Sequence, residues 1–487
     1  MIGPCIGLLK LLVLVPLYVV RHRFLNTPAV PTEIKNVGLF HVPCHANGGG
    51  EKVLWAIVNK LLEEKKYNIY IYSDIIKDKT EMIGKVNRFF GYNLKESDFT
   101  LVELQTAYLT YSDHWKVFSR YLEGLSHFLV AMDALNNFMP DVFIETFTAH
   151  FAPPMVKLLN PNLKVITYVH YPFTSPTVIS DYWDGAMNSN SGIKKRLFNA
   201  FKLVYHYGLY LIYKCMGYFN DVCYTNSSWT QRHMVGNWGS KCQVLYPPCN
   251  VDEFWSQEFD KKSNTIVSLG QYRNEKRHNI QLDMMKYHME KNPNSKTIFK
   301  IIGSGKFEES QRIYEGLQRR VKNEGIKNVE LLKDVKFDEL MRLIKEARFG
   351  VHTMIDEHFG ISVVEMLAGG LITLAHNSAG PKDDILGNHT HALYGYLAND
   401  DKEFNTTLHT LIENYNDPAK REQMLARVKA GQIFAKENLS NEAFATKFVN
   451  KVKEYDHLVQ VEAADRREAE KKAEQQRKKD AKKQGDL

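Results

Sequence analysis

Residues 356–370, DEHFGISVVEMLAGG, follow a short apolar run, FGVHTM, at 349–354. The run reads as a buried strand, ISVVEMLA as a helix, and Gly369-Gly370 as its stop. Glu357 then sits in the strand-to-helix loop, and Glu365 sits about a turn and a half into the helix at ~3.6 residues per turn. The amides of Gly360 and its neighbours become helix N-terminal donors, which suit a phosphate. Two acids beside an anion site fit one ligand that carries both vicinal hydroxyls and a diphosphate, as a nucleotide-sugar does. For the two glutamates alone, a solvated surface helix is the competing reading.

The same alternation extends on both sides of this stretch. TIVSLG (265–270), KTIFKIIG (296–303), NVELLKD (328–334) and LITLAHN (371–377) read as strands with helices or turns between them, giving a doubly wound domain over 262–437. After its first strand come Gln271, Arg273 and Lys276. Arginine can fork onto a diphosphate and lysine adds a point charge; an exposed basic turn is the alternative. No Asp-x-Asp pair occurs, so the usual carboxylate site for a metal-bound nucleotide-sugar is missing and no metal is expected. A Ser-Ala-Gly-Pro turn within HNSAGPKDDI (376–385) follows the strand LITLAHN.

The first half, 33–248, repeats the pattern. NVGLFHVP (36–43) reads as a strand, Gly48-Gly49-Gly50 as a turn, and Val53, Leu54, Ile57, Val58, Leu61 and Leu62 as a helical stripe. The three glycines serve either a tight turn or a close approach of ligand to backbone. YNIYIYSD (67–74), FTLVEL (99–104), DVFIET (141–146) and KVITYVH (164–170) continue the sheet, placing Glu145 and His170 at carboxyl ends of strands. Residues 194–220, rich in Tyr, Phe, Leu and Ile with basic residues at one end, suit either a membrane interface or a buried core helix. CQVLYPP (242–248) adds a strand, and Pro247-Pro248 marks a boundary. Residues 438–458 read as an amphipathic helix, and 459–487 as a charged tail, either solvated helix or disordered.

A length of 487 residues calls for more than one core. A hydrophobic fraction of 44% excludes a polytopic membrane protein, and a net charge of +7, spread along the chain, suits phosphates or an anionic surface better than nucleic acid. The six cysteines show no zinc spacing and read as reduced thiols. Residues 2–20 carry one charge, Lys10, and Arg21-His22-Arg23 follow. That apolar run spans roughly 28 Å as a helix, about one hydrocarbon thickness. A cleaved signal peptide would want its basic residues first and a small-x-small site after, so an uncleaved anchor over 1–23 with the rest cytosolic is the expectation.

Taken together, the two Rossmann-like halves, the glycine loop, the cations after the second half's first strand and Glu-x7-Glu resemble the retaining glycosyltransferases of the GT-B fold, family 4. The resemblance covers about 36–458. The words GGGEKVLW, VHYPF, TNSSWT, GQYRNEKRH and LAHNSAGPKDDI are similar to the members that build the asparagine-linked glycan at the endoplasmic reticulum. It implies GDP-mannose as donor, a dolichyl-diphosphate-linked Man3GlcNAc2 oligosaccharide as acceptor, transfer of two α-1,2 mannoses, no metal cofactor, a membrane-contacting segment at 194–220, and association with other mannosyltransferases of the same route. It further implies that Glu357 touches the donor sugar, that Glu365 holds the ribose, and that Phe359, Gly360 and Ile361 border sugar and phosphates. Arg273 and Lys276 would grip the diphosphate, His170 would contact the mannose, and Gly48, Gly49 and Gly50 would line the acceptor side. Many members carry arginine where this chain has Gln271. Two other readings stay open: a family-4 transferase with another donor or acceptor, and a tethered scaffold with an inactive site.

Overall fold

The computed structural model describes residues 31–485 apart from residues 47, 112–113, 117, 175, 188–191, 260–261, 306–307 and 388–392. The expected anchor, 1–23, lies outside the described residues. Among the described residues no helix is long and apolar enough to cross a membrane. The chain forms two compact units, one from the described parts of 1–225, 233–243 and 445–487, the other from those of 226–232 and 244–444.

The first unit is built on seven strands: β1 (Asn36–Phe40), β2 (Asn68–Ser73), β3 (Thr100–Glu103), β4 (Val142–Glu145), β5 (Lys164–Val169), β6 (Val222–Thr225) and β7 (Cys242–Val244), in the order β3-β2-β1-β4-β5-β6-β7. Pairings from β3 through β6 are parallel. Near-continuous apolar runs such as Val142-Phe143-Ile144 result from having both sheet faces covered. Helix α1 (Gly49–Glu63) follows β1 and buries Val53, Leu54, Trp55, Ile57, Val58 and Leu61. Helix α2 (Ile193–Met216) behaves differently: Leu209, Tyr213 and Met216 are buried, but Ile193, Leu197, Phe198, Phe201, Val204, Tyr207 and Leu211 stand in solvent. Their spacing of three and four residues makes one exposed apolar stripe. A buried core helix therefore describes only its last turns.

The second unit has six parallel strands: β8 (Ser263–Leu269), β9 (Ile298–Gly303), β10 (Val329–Lys333), β11 (Ala347–His352), β12 (Ile372–His376) and β13 (Tyr396–Ala398). Their order, β10-β9-β8-β11-β12-β13, is the doubly wound one, whose switch point lies between β8 and β11. Three helices matter below: α3 (His278–Lys291), α4 (Ile361–Ala368) and α5 (Asp401–Asn414). Helix α4 begins after Gly360, whose φ of +109° excludes most side chains, and stops at Ala368, two residues before Gly370, φ +76°.

The last helix, α6, runs from Asn441 to Gly485, so the segment expected at 438–458 and the charged tail are one continuous helix. From Ala445 on it belongs to the first unit, where Phe448, Val452, Val459 and Ala463 are buried. Asp456 pins it there, accepting from the Ile34 amide at 2.8 Å and pairing with Lys66. Buried side chains of this kind contribute about 1.5–3 kcal/mol each for the large ones.

Candidate functional site

Strand β8 ends at Leu269, and Gly270 lets the chain turn with the Lys276 stem lying over it. Tyr272, fully buried, anchors this turn by donating its hydroxyl to the carbonyls of Ile301 and Leu332, both at 2.9 Å. Lys276 leaves the turn and donates to Glu357 Oε2. The same oxygen accepts from His352 Nε2 at 3.1 Å. His352 closes β11 and Glu357 lies in the loop after it. The switch point of this sheet thus holds one carboxylate bonded to both a cation and an imidazole.

The electrostatics follow from burial and pairing. Burial pushes the Glu357 carboxyl up, but the His352 hydrogen bond and the Lys276 charge outweigh it and hold the group well below the usual carboxylate range. Burial lowers His352, against the pull of Glu357. His352 is therefore neutral with its proton on Nε2, and Glu357 is ionised. The loop is fixed on its other side: the Gly380 amide donates to the Glu357 carbonyl at 3.0 Å, and Ser378 accepts from the Asp356 amide at 2.8 Å. A Cβ on Gly380 would stand 2.2 Å from the Phe359 carbonyl oxygen, so the Ser-Ala-Gly-Pro turn needs glycine there. Phe359, buried, stacks on Tyr246 at 5.7 Å, and Tyr246 donates to Asp384, which also takes the Ser228 amide. Trp229 stacks on His358 at 4.7 Å.

Lys276 and Glu357 are thus brought together, with Phe359, Gly360 and Ile361 beside them at the start of α4. Glu365 is half-buried further along that helix. Arg273 is not in the cluster: its side chain is 46% exposed and its partner, at 3.7 Å, is Glu275. Arg277 instead reaches the end of β11, donating to the Thr353 carbonyl at 3.3 Å and pairing with Asp401. His352 and Arg277 were the residues that sequence reading passed over. Both stood in quoted words, FGVHTM and GQYRNEKRH, and a histidine five residues before a loop glutamate was the available signal.

The first unit assembles its own cluster at the β1/β4 switch point. His41, just past β1, bonds Thr146 Oγ1 at 2.9 Å and approaches Glu51 at 3.5 Å. Glu51 also accepts the Gly48 amide at 2.8 Å, which orders the glycine turn. Burial raises Glu51, but His41 outweighs it and the carboxyl is held below its ordinary value. His170 donates from Nε2 to the Thr146 carbonyl at 2.9 Å. A Cβ on Gly50 would stand 3.5 Å from His41 and 3.6 Å from His170, in ordinary contact, so a larger side chain would cover both rings. Glu145 does not join them. It is buried, its Oε1 accepts the Phe147 and Ala149 amides at 2.6 and 2.9 Å, and burial pushes it up to about 7. It supports the turn that carries Thr146.

Burial lowers His127 and His170 to about 4 and His150 to about 3. A histidine depressed in the fold contributes stability fully above its unfolded value of about 6.5, and loses it as pH falls toward the folded value. Glu145 acts oppositely, stabilising relative to neutral pH as pH drops from about 7 to its unfolded 4.5. Three groups outweigh one, each histidine forfeiting about 2 kcal/mol by pH 5. Thermal melts should therefore show a clearly lower Tm at pH 5 than at pH 7. An unchanged Tm would contradict neutral His127, His150 and His170 in the fold.

Two family models match the chain: "ALG11 mannosyltransferase N-terminus" over residues 34–238 and "Glycosyl transferases group 1" over residues 251–429. The Homo sapiens GDP-Man:Man(3)GlcNAc(2)-PP-Dol alpha-1,2-mannosyltransferase is 33% identical over 76% of this chain and 78% of its own. The Xenopus laevis protein of the same name is 32% identical over 82% and 84%. Among solved structures, a glycosyltransferase from Rickettsia africae superposes with a TM-score of 0.58 at 12% identity, over 86% of this chain and 98% of that one. At that identity the likeness speaks for the fold, the GT-B type of two parallel sheets.

Proposed function

This chain belongs to the GDP-Man:Man(3)GlcNAc(2)-PP-Dol alpha-1,2-mannosyltransferase family, and on that premise we propose that it adds the fourth and fifth mannoses to dolichyl-diphosphate Man3GlcNAc2, giving Man5GlcNAc2. It is a GDP-mannose-dependent α-1,2-mannosyltransferase. The observation that carries the residue assignment is the Lys276–Glu357–His352 cluster at the β8/β11 switch point, beside the N-terminus of α4.

In this reading the donor diphosphate takes Lys276 and the first amides of α4, with Arg273 at its exposed margin. Glu357, held ionised, accepts hydrogen bonds from the mannose hydroxyls, and Glu365 accepts those of the ribose. Phe359, Gly360 and Ile361 form the wall. On the first unit, His170 is assigned to the sugar and Gly48, Gly49 and Gly50 to the acceptor. Transfer breaks the bond between the anomeric carbon and the phosphate oxygen. The acceptor 2-hydroxyl oxygen bonds to that carbon on the same face, and its proton passes to the departing phosphate. Negative charge grows on the diphosphate as positive charge grows on the sugar, so a fixed ammonium and aligned amides lower the barrier without a metal. A glycosidase-type nucleophile is not required of Glu357, whose carboxylate is already engaged by two donors.

The exposed stripe of α2, with Lys194, Lys195, Arg196 and Lys202 on the same helix, supports contact with the endoplasmic-reticulum surface. Replacing Leu197, Phe201 and Val204 by serine should raise KM for a vesicle-borne acceptor about tenfold and leave a short-chain soluble acceptor unaffected. Equal effects on both acceptors would refute the membrane role. The proposed topology is a single-pass anchor with the catalytic units cytosolic. It expects the sequons at Asn226, Asn388, Asn405 and Asn438 to stay bare, and Asn226 is buried in any case. A mass shift on endoglycosidase treatment would place the chain in the lumen instead.

Donor identity is tested by offering the full-length protein GDP-mannose, GDP-glucose and UDP-glucose with the Man3GlcNAc2 lipid. GDP-mannose should be preferred at least 100-fold. A preference for another donor would leave the fold standing and overturn the substrate.

A further inference from the structure

A second constellation lies at the far end of α3. His288, fully buried near the C-terminus of that helix, turns its Nδ1 toward His409 Nδ1 on α5, 3.0 Å away. Glu413, one turn after His409 on the same helix, adds a carboxylate. One ligand atom from each of the three lies within 4.8 Å of the others. Two nitrogens on a tetrahedral zinc ion, at 2.0–2.1 Å from the metal, stand about 3.3 Å apart, so the two imidazoles need to open by only a few tenths of an ångström.

The surroundings orient each ligand. His288 Nε2 bonds the Ser295 hydroxyl at 2.8 Å, and that hydroxyl bonds Thr297 Oγ1 at 3.0 Å. With Nε2 as donor, Nδ1 presents its lone pair toward His409. The Asn292 amide donates to Glu413 Oε1 at 3.2 Å, and the Tyr287 ring meets His409 edge-on at 5.9 Å. Lys291, the cation on the neighbouring turn, lies over the Tyr287 ring at 5.7 Å rather than among the ligands. A histidine with its distal nitrogen hydrogen-bonded and a carboxylate held by an amide are the supports that metal ligands ordinarily have. His409 and Glu413 at i, i+4 share one helix face, and His288 closes the set from a second helix.

We propose that His288, His409 and Glu413 bind a divalent first-row cation, with zinc the best fit, which ties α3 to α5. Two imidazoles and one carboxylate leave a fourth position for water. Binding needs no net release of a proton: the proton of His409 moves from Nδ1 to Nε2, and both Nδ1 lone pairs then face the metal. The site is structural rather than catalytic. His278, at the opposite end of α3, is ten residues or about 15 Å along the helix from His288, and that end adjoins the Lys276 turn. Metal binding here is therefore compatible with transfer chemistry that uses no metal, and the proposal stands or falls independently of the donor assignment.

Titration of the full-length chain with Co²⁺ and Zn²⁺ tests it. The expected results are one Co²⁺ per chain with visible d–d absorption, displacement by Zn²⁺, and a Tm raised by several degrees with zinc. Both His409→Gln and Glu413→Gln should weaken zinc binding at least tenfold while leaving mannosyl transfer unchanged; two variants guard against one that misfolds. If the two imidazoles only hydrogen-bond each other, no d–d band appears and zinc affinity is the same in wild type and His409→Gln; either result overturns the site.

Discussion

Glu357→Ala should lose about three orders of magnitude in kcat/KM for GDP-mannose while binding GDP at least as tightly as the wild type. The carboxylate is partly buried, its side chain 18% exposed, and it accepts from both Lys276 and His352. Removing it takes away the acceptor assigned to the sugar hydroxyls, and preorganised polar groups at a reacting centre are worth about 10²–10³ each. It also frees the Lys276 ammonium, which then has the diphosphate as its nearest anion. Hence the split between lost turnover and retained GDP affinity. Removing one partner of this partly buried pair also costs stability, less than the about 3–5 kcal/mol of a fully buried one, so Glu357→Gln is the necessary companion. It keeps the shape and an acceptor for His352, and should restore much of the Tm but little of the rate. Steady-state kinetics, GDP titration and melts on the three proteins separate these effects. Near-normal turnover in Glu357→Ala would remove this residue from the site.

Lys276→Met should cost about 10²–10³ in kcat/KM. Methionine retains the apolar stem over Gly270 but not the charge that grips the diphosphate. A second readout follows from the same contact. The lysine helps to hold Glu357 in its charged form, so removing it raises that carboxyl's pKa, and the acid limb of the rate profile should move to higher pH. By contrast, Arg273→Ala should cost less than about tenfold, because this side chain is 46% exposed and paired with Glu275 outside the cluster. Equal losses at the two positions would mean that the turn after β8 repositions Arg273 onto the ligand.

Much of the two-sheet architecture was legible because parallel strands buried on both faces leave unmistakable apolar runs, and the glycines that end β-to-α turns punctuate them. Strands such as KVITYVH and helix ISVVEMLA needed only periodicity and stop signals. The chemistry of the switch point was half legible. Glu357 and Lys276 stood out by type and position, but their contact is made between segments 81 residues apart, which no local pattern encodes. His352 hid inside an apolar strand, where a histidine most often reads as core. Arg273 and Arg277 were indistinguishable by charge. Arg277 takes a left-handed backbone, φ +55°, and its guanidinium is the one that reaches the Thr353 carbonyl just past β11. The fate of 438–487 was illegible for another reason. A charged helix with sparse apolar positions declares no partner, and Asp456 finds Ile34 and Lys66 about 400 positions earlier in the chain.

The central claim is the reaction itself. Incubating the full-length protein with radiolabelled GDP-mannose and Man3GlcNAc2 diphosphodolichol in detergent, with EDTA present, and digesting the product with an α-1,2-mannosidase tests it most directly. Extension by two mannoses, both removed by the mannosidase, is the predicted result. An acceptor left at three mannoses, or an added sugar that resists the enzyme, would contradict the account.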